Sequence, residues 1–365
     1  MSAPRIALVH DHLVQDGGAE RVVRSLMRMF PEAPVYTLLY DAEAMGQDFA
    51  GKDIRTSVFQ RIPFARRHYK WLLLFIDGAF RRFDLSDFDI VISSSSGWAK
   101  SVQTSPETLH VCYCHTPIRY IWSSADEYIG ATGYPKPLKW LFRKLLGFLR
   151  RKDLRAARGV DHFIANSRYV ADRIKQYYDR ESIVINPPVA TQQFTPRQEK
   201  QDYYLVATRL EPYKRVDLVI EAANKKNFPL RVMGAGTQLE TLRAAAGKTV
   251  EFTGRVSDED RRELFASAKA FINPQDEDFG ITLLEALASG TPVIAFAAGG
   301  ALETIRDGVD GILFAPQTVA ALTEAIARIE GMHFDAAALR ARADEFSEKV
   351  FTSRIHDYLQ HVREE

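Results

Sequence analysis

The sequence predicts two α/β domains, each a parallel sheet wound on both faces by helices. Three observations predict it. The chain has 365 residues, short apolar runs alternate with helical patterns along nearly all of it, and that alternation stops once near the middle and restarts. At roughly 100–200 residues per domain, this length is too great for one comfortable core. Strands alternating with helical stretches are the mark of βα units, whose strands run parallel.

In the first half, strands are expected at 5–9, 34–39, 89–93, 109–113, 161–165 and 183–186, with helices near 18–30, 138–157 and 167–179. Asn186-Pro187-Pro188 interrupts the series, and the polar, aperiodic stretch Gln192 to Asp202 reads as a linker. Beyond it, strands are expected at 203–208, 229–234, 249–253, 270–273 and 292–296. Helices are expected near 215–226, 236–246, 258–267, 281–289 and 317–330. The last helical stretch, about 335–363, follows the final strand and is placed to brace the first domain. The domains are therefore set at 1–190 and 203–345, with 346–365 packing back on the first. Two facing doubly wound sheets would open their crevices, at the carboxyl ends of strands, onto one cleft.

Composition excludes several classes. With 46% hydrophobic and 26% charged residues, the chain is an ordinary globular one. Its net charge of +1 calls for no nucleic acid, but it hides an asymmetry: residues 1–182 carry 27 Lys and Arg against 20 Asp and Glu, and the remainder carries 21 against 27. A basic half suggests an anionic partner. Cys112 and Cys114, one residue apart, cannot staple distant segments, so a reducing compartment and buried strand thiols are expected. The N-terminus runs straight into Ile6-Ala7-Leu8-Val9, so no signal peptide is expected. The longest apolar runs, such as Trp71–Ile76, fall short of the roughly 20 residues of a membrane span. The expected location is cytoplasmic, or on a membrane surface without crossing it.

The sharpest chemical signal is Glu277-Asp278-Phe279-Gly280-Ile281-Thr282-Leu283-Leu284-Glu285, between a strand and a helix. Gly280 permits close backbone approach, and a helix start offers amides and a positive dipole end to a diphosphate. Glu277 and Glu285 could accept hydrogen bonds from sugar and ribose hydroxyls. Taken alone, the pair is equally an acidic loop and a solvated helix face. Asp16-Gly17-Gly18-Ala19-Glu20-Arg21 follows the first strand, where glycines suit either phosphate approach or helix–strand packing. His115, directly after an apolar strand and before Pro117, is placed to reach into a crevice.

The segment Glu277 to Glu285, with its continuation Ala286-Leu287-Ala288-Ser289-Gly290-Thr291-Pro292, resembles the Glu-x7-Glu signature of family 4 retaining glycosyltransferases. Arg209-Leu210-Glu211-Pro212-Tyr213-Lys214-Arg215 and Gly299-Gly300-Ala301-Leu302-Glu303-Thr304 are similar to other runs of that family. The resemblance implies the GT-B fold, with the acceptor on the N-terminal domain and a nucleotide sugar on the C-terminal one. It places Arg209 and Lys214 on the donor diphosphate, as two cations suited to neutralise a leaving group. It places His115 at the transferred sugar and Gly17 and Gly18 in the N-terminal donor loop. Donor contacts are assigned to Phe279, Gly280, Ile281, Thr282, Leu283 and Glu285, and catalytic roles to His115, Glu277, Arg209 and Lys214. His115-Thr116-Pro117-Ile118-Arg119-Tyr120-Ile121-Trp122, with His10-Asp11-His12, most resembles a subgroup that builds O-antigen and exopolysaccharide chains from GDP-mannose.

With Arg209 and Lys214 supplying charge, no metal and no bound cofactor are expected; the nucleotide sugar is a co-substrate. Asp87-Phe88-Asp89 and Asp276-Glu277-Asp278 imitate a metal motif, but one marks a turn and the other overlaps the acidic signature. Paired carboxylates of the glycosidase kind are not evident, so front-face displacement is expected, with closure about residues 187–202 excluding water. Another nucleotide sugar as donor (UDP-glucose, UDP-GlcNAc or a deoxysugar), a sugar-nucleotide epimerase and an inactive scaffold remain as alternatives. Two basic stretches complete the reading: Arg61 to Arg82, with Arg66, Arg67 and Lys70, and residues 136–158, where basic residues interleave with Trp140, Phe142 and Phe148. Each is either a membrane-surface helix or a core helix with a solvated basic face; together they favour an anionic membrane surface, and the O-antigen resemblance implies a lipid-linked glycan acceptor.

Overall fold

The computed structural model describes residues 4–63, 72–123, 125 and 135–364. It divides into two compact units, Met1–Pro187 with Thr352–Glu365, and Pro188–Phe351.

The first unit is built on seven parallel strands: β1 (Ile6–His10), β2 (Val35–Thr37), β3 (Ile54–Thr56), β4 (Ile90–Ser95), β5 (Leu109–Cys114), β6 (His162–Ala165) and β7 (Ser182–Val184). Their order is β3-β2-β1-β4-β5-β6-β7. The order reverses between β1 and β4, where a doubly wound sheet leaves a crevice at its carboxyl edge. One face carries Ala7, Val9, Tyr36 and Val91 and, in register with them, Cys112, Cys114, Phe163 and Ala165; the other carries Leu8, Ile92, Val111 and Ile164. Helices cover both faces, so these strands read as continuous apolar runs. Both cysteines are buried and free, and burial pushes the Cys112 thiol up to about 12.

The second unit repeats the plan with β8 (Tyr204–Ala207), β9 (Leu230–Met233), β10 (Val250–Gly254), β11 (Ala270–Asn273), β12 (Val293–Phe296) and β13 (Gly311–Phe314), ordered β10-β9-β8-β11-β12-β13. Its switch point lies between β8 and β11. Leu205 and Ala207 pack on the helix Ile281–Ala288, whereas Tyr204 and Val206 pack on the helix Val216–Lys226. Local chemistry fixes the ends of several helices. Ser167 caps Arg168–Tyr178 through Val170 N, Ser257 caps Asp258–Ser267 through Asp260 N, and Thr318 caps Val319–Glu330 through Ala321 N.

Four expectations need correction. β3 was not expected: it is a three-residue edge strand containing Arg55 and Thr56, too short and polar to show an apolar run. β13 was also missed, because it consists of only the four residues between the Asp310 turn and Ala315-Pro316. The stretch Gln192 to Asp202 is no free linker but a strap on the second unit. Phe194 enters its core, Arg197 N donates to Ser289 O at 3.1 Å, and Lys200 Nζ donates to Ala266 O at 2.8 Å. A strap held by scattered polar contacts lacks periodicity just as a linker does. Finally, the stretch 335–363 is two helices, Ala336–Asp344 and Glu348–Glu364, broken where Phe346 turns into the core and its carbonyl accepts from Val189 N. Within the first unit, Tyr358 of the latter helix meets His162 edge-on at 6.2 Å.

Candidate active site

The expected site residues fall into two groups, one per unit, each at the switch point of its sheet. In the second unit, β8 leads to Arg209 and β11 leads to Glu277. A short turn, Pro212–Lys214, ends at Arg215, whose left-handed backbone (φ 51°) starts the next helix. That turn brings Lys214 Nζ to 2.6 Å from Glu277 Oε1, and Gln275 Nε2 donates to the same oxygen at 2.5 Å. Arg209 donates to Tyr213 Oη at 3.2 Å. Lys214 also lies over the Tyr213 ring, 5.2 Å from its centroid. One cation and one amide donor thus converge on a single carboxylate oxygen.

The backbone around Glu277 is fixed by glycine. Gly299 has φ +56°, and a Cβ there would lie 2.1 Å from Glu277 O; one on Gly300 would lie 2.3 Å from Phe279 Cα. Gly300 N donates to Glu277 O at 2.8 Å. The loop 299–300 is therefore packed directly against the acidic segment, as only glycine allows. Gly280, at φ +89°, opens the helix Ile281–Ala288.

The side chains of Phe279, Leu283 and Leu284 are buried in the core, so they can offer a ligand only main-chain groups. Leu283 N already donates to Gly280 O at 3.0 Å. Ile281 and Thr282 are half-buried at the helix start. Glu285, expected to face a ribose, is buried on the second turn and paired with Arg261 of the helix Asp258–Ser267. Arg261 is a partner that no motif had marked.

In the first unit, His115 follows β5 and is buried. Its Nε2 lies 2.8 Å from Ser94 Oγ, and its carbonyl accepts from Asn166 Nδ2 at 2.9 Å. Burial, aided by the charge on His10, lowers its pKa to about 4, so the ring is neutral at pH 7. Gly17 caps the helix Gly18–Met29 with extended backbone (φ −155°), so no left-handed turn requires it. What it does provide is room: a Cβ there would lie 3.0 Å from Glu20 Oε2. Glu20 is buried and its Oε1 lies 3.5 Å from His10 Nε2. Burial works against charge on both partners, but each carries the other: His10 is raised and Glu20 lowered from their usual values. Sequence reasoning had noted His10 and Glu20 only as parts of strings, and Ser94 not at all. The signal was available in principle, since His10 and Ser94 stand at the carboxyl ends of strands adjoining the switch point and Glu20 lies in the first turn of the helix that follows β1.

Among the described residues, His10, His12 and Glu20 are the group whose ligand-type atoms lie close together, within 4.8 Å of one another. His10 Nδ1 and Glu20 are already engaged as described, and the set consists of two imidazoles and one carboxylate.

The basic stretches divide between both readings. Arg66, Arg67, Lys70 and Trp71 lie outside the described residues. The helix Leu73–Phe80 buries Ile76, Ala79 and Phe80 but leaves Phe75 exposed. The helix Lys136–Arg158 sends Leu149, Asp153, Ala156 and Ala157 into the core. There Asp153 accepts from Trp122 Nε1 and Tyr178 Oη and pairs with buried Lys100 at 2.7 Å. Elsewhere along the helix, Trp140, Phe142 and Phe148 are exposed, with Lys144 Nζ 3.9 Å from the Trp140 ring centroid. The side chains of Leu138 and Leu141 are outside the description. No described helix is long and apolar enough to cross a membrane.

Two parallel-sheet α/β units, each with its candidate residues at the switch point, have the architecture of the GT-B fold. Residues 16–193 match the model of Glycosyltransferase Family 4, and residues 190–349 match that of Glycosyl transferases group 1. The chain belongs to the family 4 glycosyltransferases. It is 32% identical over 188 residues to a D-inositol 3-phosphate glycosyltransferase of Geodermatophilus obscurus, covering 42% of each chain. It is 29% identical over 189 residues to the O-antigen chain mannosyltransferase C of Escherichia coli, covering 46% of this chain and 50% of that one. The matches thus span about half the length of these curated relatives. In fold it is similar to Anabaena HepE, solved in complex with UDP and glucose, at a TM-score of 0.72 and 17% identity over 98% of this chain and all of that one.

Proposed function

We propose that this chain is a retaining glycosyltransferase that moves a sugar from a nucleotide donor to a lipid-linked oligosaccharide, in the building of an O-antigen or similar polysaccharide. The observation that carries it is the approach of Lys214 to Glu277 at the carboxyl edge of β8 and β11. A cation positioned for a diphosphate stands beside a carboxylate that can accept from sugar hydroxyls. In the reaction, the bond from the anomeric carbon to the diphosphate oxygen breaks as the acceptor oxygen bonds to the same face. The acceptor's proton passes to the leaving diphosphate. Arg209 and Lys214 stabilise the charge that develops there, which is the step where fixed cations contribute most. Main-chain groups of Gly280, Ile281 and Thr282 add to this at the helix start. Glu277 and neutral His115 position the sugar. Contact of Glu285 with the ribose requires Arg261 to share the carboxylate. The reading gives no role to a metal ion.

GDP-mannose is the favoured donor, on the resemblance of the His115–Trp122 segment and the mannosyltransferase relative. A uridine nucleotide is the second reading, favoured by the fold's likeness to a protein solved with UDP and glucose. The exposed Trp140, Phe142 and Phe148 among basic residues support docking on an anionic membrane, where a lipid-linked acceptor would be met.

Differential scanning fluorimetry against GDP-mannose, GDP, UDP-glucose, UDP-GlcNAc and UDP tests the donor. A ligand at about 100 times its Kd stabilises the fold by about 2.7 kcal/mol. A shift with guanine nucleotides alone supports mannosyl transfer. A shift with uridine nucleotides alone removes mannose and keeps the mechanism. No shift with any nucleotide sugar removes the transferase reading and favours a scaffold, and turnover of the donor without acceptor favours an epimerase.

A further inference from the structure

His115 does not stand alone in the first unit. β1 and β4 are register neighbours at the switch point, with His10 directly opposite Ser94; β4 and β5 pair Ser95 with Cys114, one residue before His115. Four side chains therefore line up across three strands and the first helix. Glu20 Oε1 lies 3.5 Å from His10 Nε2, His10 Nδ1 lies 3.1 Å from Ser94 O and 3.2 Å from Ser94 Oγ, and Ser94 Oγ lies 2.8 Å from His115 Nε2. All four residues are buried, at 3%, 1%, 1% and 8% exposure along the chain.

Hydrogen-bond bookkeeping fixes where the protons are. A carbonyl oxygen only accepts, so the contact with Ser94 O requires a hydrogen on His10 Nδ1. That nitrogen cannot then accept from the Ser94 hydroxyl. The remaining partner of the hydroxyl is His115 Nε2, so Ser94 Oγ–H donates to it and Nε2 is the unprotonated nitrogen. A neutral His115 consequently carries its proton on Nδ1. Among the described residues Nδ1 meets no hydrogen-bond partner, so this N–H is available to a ligand. The Glu20 carboxylate favours the His10 state that sets the direction, because it stabilises a hydrogen on Nε2 as well.

We infer that Glu20, His10 and Ser94 are positioning residues that hold His115 as its Nδ1–H tautomer, so that it offers a hydrogen-bond donor to an oxygen of the transferred sugar. The part concerning the sugar rests on the transferase reading above; the tautomer does not. The orientation of a buried donor before substrate arrives is a form of preorganisation, and its loss is felt in turnover more than in binding.

The test combines spectroscopy and kinetics on the full chain. Long-range 15N–1H correlation of 15N-histidine protein at neutral pH, with His115 assigned by loss of its signals in His115→Gln, should show Nδ1 protonated and Nε2 unprotonated. Ser94→Ala should abolish that preference, and Glu20→Gln should weaken it. Both variants should lower kcat about tenfold or more, with the donor KM within about twofold and Tm nearly unchanged. A wild-type His115 protonated on Nε2 overturns the proposal, as does an unaltered tautomer in Ser94→Ala. Stoichiometric zinc uptake that His12→Ala removes would also overturn it, since His10 and Glu20 would then be metal ligands. If the tautomer behaves as expected while His115→Gln turns over normally, the positioning chain stands and the sugar-facing role of His115 fails.

Discussion

Lys214 Nζ lies 2.6 Å from Glu277 Oε1, although 63 positions separate the two residues in sequence. Lys214 is mostly buried by this contact without being part of the apolar core. Its replacement by Ala should lower donor turnover by about 100- to 1,000-fold, the usual cost of removing a group that stabilises transition-state charge. Thermal denaturation should show a fold within a few degrees of wild type. Near-normal turnover would remove Lys214 from the site.

Gly299 tests the packing that holds Glu277. Gly299→Ala adds a Cβ that would lie 2.1 Å from the Glu277 carbonyl oxygen, at a left-handed φ of +56°. The main chain must move to admit it. A destabilisation of about 1–3 kcal/mol is expected, from overpacking and backbone strain together, with loss of donor turnover. Chemical denaturation measures the first and a transfer assay the second. Wild-type values in both would show that the loop is not braced as described.

Lys100 and Asp153 form a buried pair at 2.7 Å that holds the inner half of the helix Lys136–Arg158. Burial alone would discharge Lys100, and the Asp153 carboxylate overrides it, leaving its pKa above the usual value. Lys100→Met removes one charge and strands the other. An unfolding free energy lower by about 3–5 kcal/mol is expected from denaturant titration. Restoration by the double variant Lys100→Met, Asp153→Asn would attribute the loss to the stranded carboxylate.

His110 and His115 make stability fall in mild acid. Burial lowers the pKa of each from 6.5 to about 4, so the folded chain holds them neutral where the unfolded chain would protonate them. Their contribution is complete above pH 6.5 and is lost as pH falls toward 4. Thermal scans between pH 7 and 4 should show Tm dropping through this window. In His110→Asn, which cannot titrate, the drop should be shallower; an unchanged slope would remove His110 from the linkage.

The exposed aromatics of the helix Lys136–Arg158 make a membrane test direct. Sedimentation with anionic vesicles should weaken as salt rises, and Trp140→Ser with Phe148→Ser should reduce it further without lowering Tm. No sedimentation at low salt would assign the basic face to solvent.

Much of this protein is written locally. Strand and helix positions follow from apolar runs and caps that neighbouring residues set for themselves, which is why β11 and the helix Asp258–Ser267 fall where the sequence predicts them. The chemistry-bearing segment Glu277 to Glu285 and the cations Arg209 and Lys214 were likewise visible as strings. Other features were not. β3 and β13 are short enough that pairing with a neighbour, rather than their own composition, makes them strands. The strap 192–202 looks like a linker because its contacts are scattered carbonyls and single side chains with no period.

The sequence by itself determined the fold class and the residues that could carry charge to a diphosphate, because both depend on patterns within a few tens of residues. Only the tertiary structure decided who meets whom: Lys214 with Glu277, Glu285 with Arg261, and the line from Glu20 through His10 and Ser94 to His115. Strand order places those residues side by side, and order in a doubly wound sheet is set by how crossover helices pack on both faces, not by any local run of residues.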